Sequence, residues 1–463
     1  MNPHDSPQPG RRWRPIRRAL LALLAVLLGT AALLYTKAEH ILLGAEAYIF
    51  GYPLVITDVT REHSGHTVGP PNQLRRVRQF PDAQFKAVVR PNVDTLYTTA
   101  FINADQGPWV FEMAANNQRY EVMPFMDAWT NVFAAPGTRT TGTAGGRFFL
   151  TGPRWQGQVP EGMTLLRSPT QMVWLIGRIQ TNGTADYPLV HSLQDGLTLR
   201  RLTDTSAASM PESGAPSGAA VTPPLQQIQA MGVVDFFARL AALMVHNPPA
   251  SVDAPMLIKL SRIGVAPGQA PQWGLLDRAS VALGRWLADF TVAKELKKPR
   301  DLVRGWSTPP AVLGQYGTHY NIRAVVAMVG LGANWPADAV YPNARVDHQG
   351  QALNGRHRYR LHFSKGQLPP VQAFWSLTAY GSDDFLIDNP LSRYALGDRD
   401  PLVYNADGSL DLWIQAQPPA GEQQRNWLPV KAGAPFLLNA RLYWPQAAAL
   451  NGAWGMPAVE RLD

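Results

Sequence analysis

TLYTTAFI (95–102), WVFEM (109–113), RYEVMPF (119–125) and RFFLTG (147–152) follow one another through the first half of the chain, separated by clusters of Pro, Gly and Asn. Runs of this length, rich in aromatic and β-branched residues and bounded by turn formers, read as β-strands. FKAVVR (85–90) has the same texture, and the pattern returns in RYRLHF (358–363), QAFWSLTAY (372–380), LDLWIQA (410–416) and FLLNARLYW (436–444). Between these regions the period changes. MGVVDFFARLAALMV (231–245), APMLIKLSRIG (254–264) and LLDRASVALGRWLADFTVAKEL (275–296) carry apolar residues at helical spacing, and one more helix is expected over Leu313–Gly332. Tyr404-Asn405-Ala406-Asp407-Gly408-Ser409, between apolar runs, is a hairpin signal rather than a calcium loop, because the ligand run of an EF-hand is incomplete.

Composition bounds the answer further. A chain of 463 residues, 46% apolar and only 16% charged, can bury a large core divided among domains. Its 39 Gly and 40 Pro favour many short elements joined by turns. With no cysteine there is no disulfide framework, thiolate zinc site, iron–sulfur cluster or cysteine nucleophile. Half of the net charge of +8 comes from Arg11, Arg12, Arg14, Arg17 and Arg18 against Asp5. No basic stripe with interleaved aromatics follows residue 40, so nucleic acid is not an expected partner.

Behind the arginine cluster, residues 19–35 are uncharged and apolar, at the short edge of what spans a bilayer as a helix. Positive charge stays cytoplasmic, so the segment reads as a signal-anchor that puts the C-terminal body in the periplasm, a single-pass inner-membrane topology. Thr30, Ala31 and Ala32 run into Leu33 and Leu34 without an A-x-A cleavage pattern, which favours an uncleaved anchor. The expected division is a basic cytoplasmic segment (1–18), a transmembrane helix (19–35) and a stalk helix (36–60) that Pro53 ends or kinks. A β domain (61–202), a Ser/Ala/Gly/Pro-rich linker (203–224), a helical segment (225–308) and a second β domain (309–463) follow.

Several stretches also carry a family likeness. RPNVDTLYTTAFI (90–102), MDAWTNVFAAPGTRTTGT (126–143) and PTQMVWLIGRIQ (169–180) resemble the bacterial domain of unknown function 1254. YNIRAVVAMVGLGAN (320–334), AFWSLTAYGSDDFLIDNPLSRYALGD (373–398), YNADGSLDLWIQ (404–415), NWLP (426–429) and RLYWP (441–445) resemble its usual partner, domain of unknown function 1214. The resemblance implies two jelly-roll-like domains in tandem. With the strand texture it sets the expected fold class: mainly β with α-helical segments, two tandem jelly-roll-like β-sandwich or barrel domains, a helical middle segment and an N-terminal transmembrane helix. It implies no shared activity.

Candidate site residues fall into three groups. Asn92, Asp94, Thr95 and Tyr97 lie where a Pro-containing loop feeds a strand, with Asp94 the first candidate for a functional carboxylate. Asp127, Trp129, Asn131 and Arg139 form a second cluster, in which an Asp127–Arg139 ion pair is the plain structural expectation. Were both loops to meet, Asp94 and Asp127 would make a carboxylate pair for acid–base work, with Tyr97 or Tyr320 as proton donor, or for a divalent cation such as calcium. Third, Tyr316, Tyr320 and Arg323 are spaced to share a helix face, and an arginine there needs an acceptor, from the protein or from an anionic or carbonyl-bearing ligand. Trp375, Tyr380, Asn389, Arg393 and Trp427 supply groups of the kind that grip sugars, while most Trp residues belong in a core.

His63 and His66 have an H-x-x-H spacing in what reads as a Gly-rich loop but lack a third ligand, so no metal site is assigned. No nucleophile elbow, Walker loop, dinucleotide fingerprint or zincin motif occurs. The expected function is therefore a membrane-anchored envelope protein that holds a small or carbohydrate-like ligand in a cleft of its tandem β-domains. The alternatives are a hydrolase or lyase using the two carboxylates, and an oligomeric structural envelope protein.

Overall fold

The computed structural model describes residues 13–67, 69–86, 89–204, 222–297, 302–308 and 310–463. Residues 1–12 of the expected cytoplasmic segment and 205–221 of the expected linker lie outside these.

The architecture is sheet-rich, with several open sheets and a helical layer. In the first half, a six-stranded sheet runs in the order Arg75–Arg76, Thr95–Asn103, Met172–Gln180, Phe125–Asp127, Val132–Ala134, and Glu121–Val122 also pairs with Met172–Gln180. A four-stranded sheet orders Thr198–Arg201, Trp109–Met113, Gly146–Thr151 and Thr164–Arg167. Leu96, Phe125, Val173 and Leu175 of the first sheet bury with Phe111, Phe148 and Leu150 of the second, the alternate-residue burial that a strand's period of two demands.

The second half repeats the scheme. Its seven-stranded sheet centres on Val371–Gly381 and Phe436–Pro445, paired antiparallel, and its four-stranded sheet on Tyr359–Phe363 and Leu410–Gln415. Leu361, Leu377, Leu412 and Leu438 lie in the core that these strands share. Every sheet among the described residues runs between two edge strands, so the barrel alternative is corrected: none closes. The Asn405–Ser409 stretch is a tight turn, with Gly408 at φ 83°, but it feeds only the Leu410–Gln415 strand.

The largest departure from expectation is the helix Trp13–Thr67. It is continuous through Pro53, where the missing N–H leaves one turn without its bond and the Thr57 hydroxyl donates to the Pro53 carbonyl at 2.7 Å. His63 thereby lies on a helix and not in a loop. Nor is the stretch from 36 to 60 a stalk. Tyr48, Phe50, Tyr52, Leu54, Val55 and Val59 are buried in one core with Phe236, Phe237 and Leu240 of helix Val233–Met244, Leu260 of Ala254–Arg262, Val281 and Ala288 of Leu275–Lys297, and Ala324 of Tyr320–Val329. The Lys37–Thr67 portion is long and apolar enough to cross a membrane, yet 78% of its most apolar window is buried inside the body. Its apolarity is that of a core helix surrounded by other helices. The earlier part of the same helix differs: Leu20, Leu21, Leu23, Leu24 and Leu28 are all exposed.

Glycine lets the two longest helices approach. A Cβ on Gly284 would sit 2.5 Å from the Ile41 carbonyl oxygen, and one on Gly44 would sit 3.2 Å from the Val281 Cα. The Lys37–Asp277 ion pair and the Arg285 guanidinium over the Tyr48 ring, 5.2 Å away, continue the contact in the same direction, so the helices run parallel.

Candidate functional site

The first sequence cluster joins the two halves of the molecule. Asp94, 1% exposed, accepts from Ser376 Oγ at 2.7 Å and pairs with Arg399, which also donates to the Asp94 and Thr181 carbonyls. The Arg441 guanidinium lies 3.9 Å from the same carboxylate and donates to Thr378 Oγ1 and to the Tyr380 hydroxyl. Asn92 caps the turn by accepting from the backbone N–H of Asp94 and Thr95, while its amide donates to the hydroxyls of Tyr443 at 2.7 Å and Tyr97 at 3.3 Å. Arg178 covers the Tyr97 ring and donates to Asn334 Oδ1 and the Gly332 carbonyl, both at 2.7 Å. Arg178 Nε, Arg399 Nε and the Thr95 hydroxyl have no partner among the described residues, but each of these arginines donates through its other nitrogens, and the bonds tie the first half of the chain to the second as a clamp.

Arg139 belongs to this interface too. It forms a bidentate pair with Asp338 at 2.6 and 2.9 Å instead of the expected pair with Asp127, because its short helix faces the second half of the molecule. The other expected ligand contacts are also engaged internally. Trp375 is buried against Phe363, Tyr380 donates to the Pro91 carbonyl, Asn389 closes its own loop, Arg393 donates to the Gln424 and Trp427 carbonyls, and Trp427 donates to the Gln415 carbonyl.

Asp94 and Asp127 do not meet. Thr95, beside Asp94, pairs with Gln180, whereas Asp127 pairs with Val173 on the same strand. Seven residues of strand separate the two registers, roughly 23 Å at about 3.3 Å per residue. The paired-carboxylate site is thereby ruled out. Among the described residues no group of three or more His, Asp or Glu side chains is arranged to hold a metal, so the calcium expectation gains no support.

A different constellation forms around Arg323. The five-residue turn Asp127–Asn131 leaves the strand Phe125–Asp127, and Asp127 holds it by accepting from the backbone N–H of Trp129 and Asn131, both at 2.9 Å, and from the Asn131 amide. Thr130 sits at φ 70° with its hydroxyl buried and unpartnered. A β-branched residue in the left-handed region is strained, a cost of about 1–3 kcal/mol of the kind found at functional sites. The turn presents Trp129, whose ring packs 4.8 Å from Phe50, and Tyr320 stands edge-on to Phe50 at 5.3 Å. Within this cage lies the Arg323 guanidinium, 5.2 to 5.4 Å from the Phe50, Trp129 and Tyr320 ring centres.

Arg323 is 2% exposed, and its Nε and Nη2 have no hydrogen-bond partner among the described residues. The nearest acids stand back from it and are otherwise occupied. Asp253 accepts the Tyr320 hydroxyl at 2.8 Å, and Asp127 is bound to its own turn. Burial pushes the Arg323 guanidinium pKa down, opposed by the charges of Asp253 and Asp127. It raises the Asp127 carboxyl from 3.8 to about 6, against the turn's hydrogen bonds and the Arg323 charge. Tyr320 is raised to about 12 by burial and by Asp253, so its hydroxyl remains a donor at neutral pH.

Tyr316 precedes the helix, which begins only at Tyr320 because Gly314 and Gly317 take positive φ; its backbone N–H still donates to Asn131 Oδ1, tying it to the same site. Sequence reasoning found Arg323, Tyr320, Asp127 and Trp129 but missed Phe50 and Asp253. Neither carries a local motif, and their convergence depends on the core helix and on the loop before Ala254–Arg262. A separate cleft of about 220 Å³, lined by Asn116–Arg119, Gln180, Asn182, Leu189 and Leu193, contains none of the expected residues.

Residues 71–201 match the family model described as protein of unknown function 1254, and residues 338–447 match the model described as protein of unknown function 1214; the chain belongs to the family that pairs these domains. The crystal structure of the VPA0106 protein from Vibrio parahaemolyticus is similar over 92% of this chain and 100% of that one, at 24% identity and a TM-score of 0.68, a likeness of fold. A putative uncharacterized protein from Burkholderia cenocepacia aligns over 94% of this chain and 96% of its own, at 12% identity and a TM-score of 0.43. No curated protein matches the chain.

Proposed function

We propose that this chain is a membrane-anchored envelope protein that binds a small or carbohydrate-like ligand through a carbonyl or anionic oxygen directed at Arg323. The observation that carries this reading is the buried guanidinium with two unpartnered nitrogens inside a cage of three aromatic rings. A buried charge without hydrogen bonds is costly, and an acceptor oxygen would recover that cost. The binding site in this reading lies between the helical core and the Asp127–Asn131 turn, not in the clamped joint between two tandem sandwich domains. Because Arg323 is 2% exposed, access requires local opening.

The anchor is the apolar segment 19–35 behind five arginines, in which Leu20, Leu21, Leu23, Leu24 and Leu28 are exposed. The positive-inside rule then favours an inner-membrane protein with its body in the periplasm. A lyase or hydrolase reading survives only at this same site. It is favoured by the Asp127 carboxyl near 6, poised to exchange a proton close to neutral pH, with Tyr320 as a donor.

The test is a thermal-shift screen of the full chain in detergent against sugars, sugar acids and small carboxylates, with Arg323→Met beside wild type. A ligand at a hundredfold over its Kd should stabilise wild type by about 2.7 kcal/mol and leave the folded Arg323→Met variant unmoved. An equal shift in both proteins would refute the role of Arg323.

A further inference from the structure

We infer that the chain forms a parallel dimer through the outer face of helix Leu275–Lys297. This helix has two apolar faces. Val281, Ala288 and Val292 are buried and, with Gly284, meet the core. The opposite face carries Leu276, Ala279, Leu283, Trp286, Phe290 and Ala293, spaced 3, 4, 3, 4 and 3 residues apart, and all six are exposed. Leu276 is 61%, Trp286 62% and Phe290 55% exposed, with the last two rings stacked at 5.9 Å. That spacing is the a and d pattern of nearly three heptads. A contiguous apolar stripe of this kind on a surface marks an interaction site.

Three observations select a second copy of the chain in parallel register. A two-fold axis places each a and d residue opposite its own counterpart, so one stripe is complementary to itself. In this frame Asp289 is a g residue and Lys294 the e residue five positions later, the pair that faces across a parallel coiled coil. Both are exposed; Asp289 has only Arg285 at 3.9 Å as an ion partner, and Lys294 has none among the described residues. Finally, the helix runs parallel to Trp13–Thr67, as the Lys37–Asp277, Gly44–Val281 and Tyr48–Arg285 contacts show. A parallel dimer therefore sends both N-terminal segments the same way, into one bilayer, where an antiparallel one would send them to opposite sides. The orientation argument rests on the proposed anchor, while the dimer itself does not depend on ligand binding at Arg323.

The chain has no cysteine, so Leu283→Cys introduces a lone thiol at an a position. In the detergent-solubilised full chain under mild oxidation, most of the Leu283→Cys protein should run as a covalent dimer, while Gln423→Cys, exposed elsewhere, should not. Asp289→Lys should weaken association measured by sedimentation about tenfold, and adding Lys294→Asp should restore it. Trp286→Glu should leave a folded monomer. A wild-type chain that sediments as a monomer overturns the inference. So does a dimer indifferent to Trp286→Glu, or a double charge swap that fails to rescue.

Discussion

Asp94 with Arg399 and Arg441, and Arg323 with its aromatic cage, are two ways of burying guanidinium charge in one protein. At the interdomain clamp the arginines meet a carboxylate, hydroxyls and backbone carbonyls, and the carboxylate accepts from Ser376 as well. At the cage the arginine meets ring faces, two of its nitrogens have no acceptor, and a strained threonine stands in the turn beside it. Arg441 is buried about as deeply as Arg323, while Arg399 keeps 15% of its side chain exposed. What differs is the degree of satisfaction: Arg399 leaves only its Nε without a partner while its other nitrogens reach a carboxylate and carbonyls, whereas Arg323 leaves both Nε and Nη2 without one, and the proposed ligand site rests on that difference.

Removing one member of each arrangement is the most direct way to break this comparison. Asp94→Ala strands Arg399 without its counter-charge and should lower unfolding stability by about 3–5 kcal/mol in urea melts. A loss below about 1 kcal/mol would mean that the clamp holds nothing.

The second prediction concerns pH. Burial raises the Asp127 carboxyl from 3.8 to about 6, so the folded protein keeps this proton through an interval in which the unfolded chain has released it. Stability from this group is therefore greatest near pH 4 and falls as pH rises to about 6, by on the order of 3 kcal/mol. Asp127→Asn should flatten that slope when urea midpoints are compared across the window. An unchanged profile would place the titration elsewhere.

The smallest effect sharpens the contrast most. Arg323→Met replaces a charge that has no ion pair within 4 Å among the described residues with an apolar chain of similar reach, so the variant should unfold within about 1 kcal/mol of wild type, or be more stable. Arg399→Met should cost several times as much. Equal losses at the two positions would show that the cage arginine is also structural.

The short aromatic and β-branched runs TLYTTAFI and FLLNARLYW and the helical spacing of 231–296 were legible because they are local: residue types and spacing within a few positions report the element. The Arg139–Asp338 pair, the Asp94–Arg399 pair and the distance between Asp94 and Asp127 were not, because each depends on strand order and on how two halves of the chain dock. Pro53 and the place of 36–60 directly behind the apolar segment pointed to a stalk that ends or kinks, yet tertiary packing keeps the helix unbroken and surrounds it with others. Composition and periodicity by themselves determined a sheet-rich body, a helical middle, an arginine-flanked apolar N-terminus and a short roster of polar residues worth watching. Only the tertiary structure decided which of them are joined and which are buried short of hydrogen-bond partners. Satisfaction of a buried charge is a property of neighbours distant in sequence, and no local pattern encodes it.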